Sequence, residues 1–202
     1  TPISSAGSCF AFEIAKVLQE QDFNYVISER ANTVEDGIIV DGFSPEDKYV
    51  KFSANYGILF NTPSLLQLAQ KAFSLKKFQP YLIELPNNLL MDPYRENVFF
   101  KNRSSYINDY SKHIAAIKNT LLESEVFVFT AGLNECWALE DGTVLSRNPR
   151  NGFHHMIQHK TLTAQENVDN ISNFFMEVKK RNPKFKVVLT LSPIPLLATG
   201  RV

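Results

Sequence analysis

The triplet Gly7-Ser8-Cys9 is the first stretch of the chain whose residue types point to chemistry. Apolar residues recur at helical spacing from Phe10 onward, so the triplet lies at the N-terminus of a predicted helix. A serine hydroxyl is a nucleophile when a base takes its proton, and free N–H groups at a helix N-terminus favour a nearby anion. A serine at that position is also a common helix cap. Ser8 is therefore either a nucleophile or a cap, and Cys9 is either a packed thiol or a rival nucleophile.

Two later segments carry groups that suit an anion formed at Ser8. Asn134, in the stretch GLNE, has an uncharged amide that can donate to an oxyanion, although an asparagine there is also a common turn residue. Gly57 is either a loop glycine or a site for close approach of its backbone N–H, because it has no side chain. Asn61 follows in the same segment as a further candidate for substrate binding. Glu135 is expected to pair with a cation or to orient Asn134.

The base for Ser8 is sought among four histidines. His113 is predicted on the surface of a helix. His154, His155 and His159 stand in the stretch NGFHHMIQH, which is predicted as a loop that follows the Asn134 strand and folds over the site. We take His155 as the candidate base. No metal is expected, because this cluster lacks the cysteines or paired carboxylates that complete a zinc site, and no cofactor is expected either.

The order of the elements predicts an α/β fold. Helices are expected from Phe10, over 62–75, over 106–122 and over 163–181, with nearly continuous apolar strands in EVFVFTAG and KVVLTLSPIP. Such strands are typical of an open, doubly wound, mostly parallel sheet that is covered on both faces by helices. Shorter β-like pieces in FNYVISE, DGIIVDGF and KYVKFS predict a strand followed by a small hairpin or an irregular insertion. Loops and short strands are expected over 78–103.

Composition limits the class of protein. With 202 residues, the chain is predicted to form one domain over 1–202, and its 21 basic and 21 acidic side chains cancel. We therefore expect neither a nucleic acid nor a membrane as partner, but a small molecule. Two cysteines do not make a disulfide framework, no apolar run approaches a membrane span, and a cytoplasmic location is expected.

The motifs GSCFA at 7–11, TAGLNECW and LTLSPIPLLATGR resemble those of the GSCFA family, which is similar in turn to the SGNH, or GDSL-type, hydrolases. That resemblance implies a flavodoxin-like fold and ester chemistry, with a small-molecule or carbohydrate ester as substrate. It also implies that Ser8 is the nucleophile and that Gly57 and Asn134 share the oxyanion with the backbone N–H of Ser8. Glu135 stands where those hydrolases have Asp.

One departure concerns the base. SGNH hydrolases usually supply Asp and His from an Asp-x-x-His motif after the last strand, and this sequence contains no such motif. We expect either His155 as the base or a domain truncated at the C-terminus whose base lies beyond Val202. Two functions follow: an SGNH-like esterase or acyltransferase, or a non-catalytic module that binds a carboxylate or an acylated glycan. A third possibility makes Cys9 the nucleophile.

Overall fold

The structure is a computed structural model that describes residues 1–30, 37–40, 48–95, 98–146 and 156–194. It confirms the four predicted helices: α1 (Phe10–Glu20), α2 (Thr62–Ala72), α3 (Arg103–Glu123) and α4 (Ala164–Lys179). The strands are β1 (Ile3–Gly7), β2 (Ile38–Val40), β3 (Ile83–Glu84), β4 (Leu90–Met91), β5 (Val98–Phe100), β6 (Val126–Ala131), β7 (Glu135–Leu139), β8 (Ile157–Thr161) and β9 (Lys186–Leu191).

Sheet A is parallel, with the strand order β1-β6-β9, and the predicted α/β fold is confirmed. Its register pairs Gly7 with Thr130, and Ala131 with Leu191. Because the three strands are parallel, their carboxyl ends lie at one edge of the sheet. The residues that follow β1, β6 and β9 therefore emerge together.

The interior of β6 is buried, as its apolar run predicts, but β9 differs. Its side chains include the exposed Val188, Leu189 and Leu191. The prediction that this strand is covered is wrong for the described residues, because none of them packs over these side chains of β9, the edge strand of sheet A. An apolar run does not distinguish a central strand from an edge strand.

The chain between β1 and α3 is less regular than the predicted strand and hairpin. FNYVISE contributes only a single bridge between Tyr25 and Ile3, and KYVKFS has no strand among its described residues 48–53. The predicted strand in DGIIVDGF exists as β2, but it pairs with β5 from the 78–103 region. Together they belong to sheet B, a four-stranded antiparallel sheet of order β2-β5-β4-β3.

A β-hairpin of β7 and β8 was not predicted. Its antiparallel register places Trp137 opposite His159 and Glu135 opposite Thr161. The expectation that His159 belongs to a loop is therefore wrong. Polar residues occupy much of β8, so its sequence lacks the apolar alternation by which strands are recognised.

The main core joins sheet A to α2, α3 and α4. Sheet A contributes Ala6, Phe127 and Phe129, which pack with apolar side chains of the three helices: Leu65, Leu68, Ala69, Ala72, Ala116, Ile117, Leu121, Phe174 and Val178. This packing fixes the strand ends from which the candidate site is built. Within the described ranges, no helix combines the length and apolar character that a membrane crossing requires.

Candidate functional site

The segment 57–61 crosses the carboxyl ends of β1 and β6. The N–H of Leu59 donates to the carbonyl oxygen of Gly7 at 2.8 Å, and the carbonyl oxygen of Phe60 accepts from the N–H of Gly132 at 3.0 Å. The structure therefore brings Ser8, the segment 57–61 and the start of the GLNE loop together. These are three of the stretches in which sequence analysis places site residues.

Two glycines make this crossing possible. Gly7 has φ of +147°, and a Cβ there would lie 2.4 Å from the carbonyl oxygen of Thr130. A Cβ on Gly132 would lie 2.9 Å from the Cβ of Ser8 and 3.4 Å from the Phe60 ring. Neither position has room for a side chain, so the backbone after β6 lies directly against Ser8.

The hydroxyl of Ser8 is buried and has no hydrogen-bond partner among the described residues. The N-cap of α1 is Cys9, and no side chain caps this helix. The capping interpretation of Ser8 is therefore wrong. A buried hydroxyl without a partner costs about 1–3 kcal/mol, which a ligand that bonds to it would recover.

The backbone N–H of Ser8 is already used, since it donates to the carbonyl oxygen of Thr130 at 3.0 Å. The resemblance implied that it would hold the oxyanion, but here it continues the hydrogen bonding between β1 and β6. The first N–H groups of α1 are better placed donors. Those of Cys9 and Phe10 donate to no residue in the described parts of the chain, as is usual at a helix N-terminus. The helix dipole adds partial positive charge there.

The side-chain amide of Asn61 is hydrogen-bonded through its oxygen but not through its nitrogen. It is the N-cap of α2, and its Oδ1 accepts from the N–H of Ser64 at 3.0 Å. Its Nδ2 is buried and has no partner within the described residues. Asn61 lies next to Phe60, whose carbonyl oxygen holds Gly132. Its amide thus offers a second buried, unbonded polar atom, two residues after Leu59, which bonds to Gly7.

Asn134 and Glu135 differ in exposure. Asn134 is exposed before β7, and its carbonyl oxygen accepts from the N–H of Leu162 at 2.7 Å. Glu135 is 3% exposed, and its Oε2 lies 3.3 Å from Nε2 of His159. The ring of His159 meets Trp137 edge to face, with 5.5 Å between centroids. Glu135 thus pairs with His159, on the neighbouring strand of the hairpin.

The histidines lie in different surroundings. His155, the candidate base, lies outside the described residues, as does His154. His113 is not on the surface as predicted, because α3 turns it inward and it is 2% exposed. Its Nδ1 lies 2.8 Å from Oε2 of Glu29. Burial and the nearby charge of Arg95 lower the pKa of His113, against the opposing effect of Glu29.

The described part of the chain holds no group of three or more His, Cys, Asp and Glu side chains arranged to bind a metal ion. What the site offers is a buried hydroxyl, a buried amide and the first N–H groups of a helix. A nucleophile and donors for a negative oxygen have these chemical types. The Glu135–His159 pair was missed because β8 was predicted as a loop. Glu135 and Trp137 are two residues apart, which places both side chains on one face of a strand, and this spacing was a signal in the sequence for the pair.

Comparisons with known proteins place the chain by family. No curated protein and no solved structure matches it. The sequence profile of the GSCFA family matches residues 2–202. The chain therefore belongs to the GSCFA family.

Proposed function

We propose that this chain is a serine acyl-transfer enzyme of the SGNH type, an esterase or acyltransferase that acts on an acyl ester of a carbohydrate or another small molecule. Ser8 is the nucleophile. The observation that carries the proposal is the buried hydroxyl of Ser8, which has no partner among the described residues and lies at the start of α1. The order β1-β6-β9 of the parallel sheet supports a flavodoxin-like fold, with the site at the carboxyl ends of the strands.

The reaction begins when Oγ of Ser8 attacks the acyl carbon of the ester and its proton passes to a histidine base. The electron pair of the carbonyl moves to its oxygen. The Nδ2 group of Asn61 and the N–H groups of Cys9 and Phe10 donate to that oxyanion, and Gly57 and Asn134 are further candidate donors. A single donor of this kind lowers the barrier by about 3–4 kcal/mol.

The intermediate then expels the alcohol, which takes the proton from the histidine, and the acyl group stays on Ser8. Water or a second hydroxyl attacks the acyl-enzyme with the same histidine as base, and this releases the acid or the new ester. The acceptor decides between an esterase and an acyltransferase.

Two histidines are proposed as the base. His155 follows from the sequence. His159 is added by the structure, because the buried carboxylate of Glu135 lies 3.3 Å from its Nε2 and can orient the ring. A carboxylate that orients a histidine is the arrangement by which serine nucleophiles are activated.

A binding module is the second candidate function. It is favoured by the fact that no described side chain hydrogen-bonds to Oγ of Ser8. In that case the hydroxyl of Ser8 and the amide of Asn61 hold a carboxylate or an acylated glycan, and no covalent step occurs. The two functions differ in whether Ser8 reacts.

The test is to incubate the chain with a fluorophosphonate probe and to locate the adduct by mass spectrometry. We expect an adduct on Ser8 that is absent from Ser8→Ala and retained in Cys9→Ala. An adduct on Cys9 would assign the nucleophile to the thiol instead. An unmodified chain that still binds acetate in an NMR titration would support the binding module.

The same probe identifies the base. His155→Gln and His159→Gln are compared, with Gln158→Ala as the control, since Gln158 is exposed on β8 next to His159. We expect one of the first two variants to label at least about a hundredfold more slowly, in line with the usual contribution of a general base. Full labelling in both would remove both histidines from the role.

A further inference from the structure

Two charged side chains hold the peptide groups of Asn55, just before Gly57. The N–H of Asn55 donates to Oε2 of Glu29 at 2.8 Å, and its carbonyl oxygen accepts from Nε of Arg95 at 2.9 Å. Arg95 is 1% exposed. Hydrogen bonds to charged groups are stronger than neutral ones, and burial limits their screening. Asn55 is thus clamped on both sides of its backbone.

The clamp is anchored on α3. Asp109 accepts a hydrogen bond from Nη1 of Arg95, and Nδ1 of His113 lies 2.8 Å from Oε2 of Glu29. Burial would raise the pKa of Glu29, but His113, Arg95 and the N–H of Asn55 together lower it to about 2. Glu29 is therefore charged at neutral pH. We call Glu29, Arg95, Asp109 and His113 the Arg95 cluster.

From this clamp the chain runs to the site in a few residues. The hydroxyl of Tyr56 donates to the carbonyl oxygen of Ser5 on β1, and Gly57 turns the chain with φ of +73°. The N–H of Leu59 then bonds to Gly7, and Asn61 caps α2. The position of the segment 57–61 over Ser8 is thus fixed by the clamp at one end and by α2 at the other.

We propose that Glu29 and Arg95 are positioning residues for the Ser8 site, which they hold in shape through the backbone of Asn55. This proposal rests on the role proposed for Ser8. Neither side chain touches the substrate. Without the clamp, the segment 57–61 shifts relative to Ser8 and Gly132, and the oxyanion donor on Asn61 moves away from the reacting carbonyl. A misplacement of about 1 Å can slow a reaction by about a hundredfold.

The test compares Arg95→Lys with Asn182→Ala. Lysine keeps the positive charge beside Asp109 but loses the Nε–H that bonds to Asn55. Asn182 is the matched control, because its buried amide donates to the carbonyl oxygens of Leu121, Leu122 and Ser124. These carbonyls precede the N-terminal end of β6, whereas the site lies at its carboxyl end. Both variants lose buried hydrogen bonds, but only Arg95→Lys affects the clamp.

Three quantities are measured: the free energy of unfolding, the kinact and KI of fluorophosphonate labelling, and hydrogen exchange at the N–H of Leu59. For Arg95→Lys we expect kinact to fall about tenfold or more with KI nearly unchanged, and the Leu59 N–H to exchange faster. For Asn182→Ala we expect only the loss of stability. Equal changes of kinact and exchange in both variants at equal stability would overturn the proposal.

If Arg95→Lys does not fold, Glu29→Met, which removes the acceptor of the Asn55 N–H, replaces it with the same control and the same expectations. If the wild-type chain is not labelled, the proposed reaction is refuted. Hydrogen exchange at the N–H of Leu59 then still tests the role of the clamp. Faster exchange of the Leu59 N–H in the clamp variant alone would show that the clamp supports the site, even if that site only binds a ligand. Unchanged exchange would refute the proposal.

Discussion

The Arg95 cluster and the Ser8 site both bury polar groups, but the groups of the cluster are hydrogen-bonded and two polar atoms of the site are not. In the cluster, the guanidinium and both carboxylates have hydrogen-bond partners. Nη2 of Arg95 has none among the described residues and lies 3.9 Å from Oε1 of Glu29. At the site, Oγ of Ser8 and Nδ2 of Asn61 have no described partner. Buried polar groups that are satisfied support a fold, whereas unsatisfied ones are available to a ligand.

Unbonded atoms alone do not define a site. The buried hydroxyls of Ser64, Tyr94 and Thr143 also lack partners among the described residues. What distinguishes Ser8 and Asn61 is that their segments cross at the carboxyl ends of β1 and β6, beside a helix N-terminus. The two regions therefore differ in their position in the fold as well as in their hydrogen bonds. Substitutions should lower stability in the cluster and change it little at Ser8 and Asn61.

The largest expected effect separates stability from reactivity. Arg95→Met removes the cation between Glu29 and Asp109 and should lower the free energy of unfolding by about 3–5 kcal/mol, because buried carboxylates lose their compensation. Ser8→Ala should abolish labelling while stability stays equal or rises slightly, since it removes an unsatisfied hydroxyl. Urea denaturation of both variants measures the contrast. A marked loss of stability in Ser8→Ala would show that its hydroxyl has a structural partner.

The sequence predicts much of the Ser8 site but nothing of the Arg95 cluster. The triplet at Ser8 was placed correctly because Gly7 and the helix that begins at Phe10 are local signals. Asn61 was also predicted as a candidate, but its role as a helix cap and its unbonded Nδ2 were not. The bond between Phe60 and Gly132 depends on two loops that are distant in sequence, so no local pattern reveals it.

The Arg95 cluster was not predicted at all. Its members come from separate parts of the chain, and His113 was assigned to a helix surface. The apolar stripe of α3 identifies a buried side but does not tell whether a polar residue beside the stripe meets a charge. For the same reason β9 was expected to be covered, because periodicity reports character and not position in a sheet.

The second prediction concerns the amide of Asn61. Asn61→Ser keeps an oxygen for capping α2 and removes the amide donor, because the shorter serine side chain has no atom at the position of Nδ2. Labelling should therefore slow by about 10²–10³ with little change in stability. Asn102 is the matched control, because its Oδ1 also caps a helix by accepting from the N–H of Ser105 at 2.9 Å. Asn102→Ser should label at the wild-type rate. Equal rates in both variants would leave Asn61 with a capping role only.

The third prediction concerns the space beside Ser8. Gly132→Ala places a methyl group 2.9 Å from Cβ of Ser8 and should cost about 1–3 kcal/mol of stability while it slows labelling. Gly142→Ala is the control, because it strains the backbone without crowding. Nothing lies within 4 Å of the added Cβ, but φ is +75°. It should lose stability through backbone strain without any change in labelling. Melting curves and labelling rates of the pair separate crowding at the site from general strain.

The smallest effect is the pH dependence of the Arg95 cluster. Burial and Arg95 lower the pKa of His113, with Glu29 and Asp109 opposing them, so the unfolded chain binds the proton more readily. Stability should therefore fall as the pH drops below about 6.5, by at most about 2 kcal/mol at pH 5. Glu29, whose pKa is about 2, adds a further loss below about pH 4.5. His113→Gln should flatten the first decline and leave the second, as followed by urea denaturation between pH 7 and 3. If the variant and the wild type decline in parallel above pH 5, His113 does not titrate between the two states, and the cluster holds Asn55 without sensing pH.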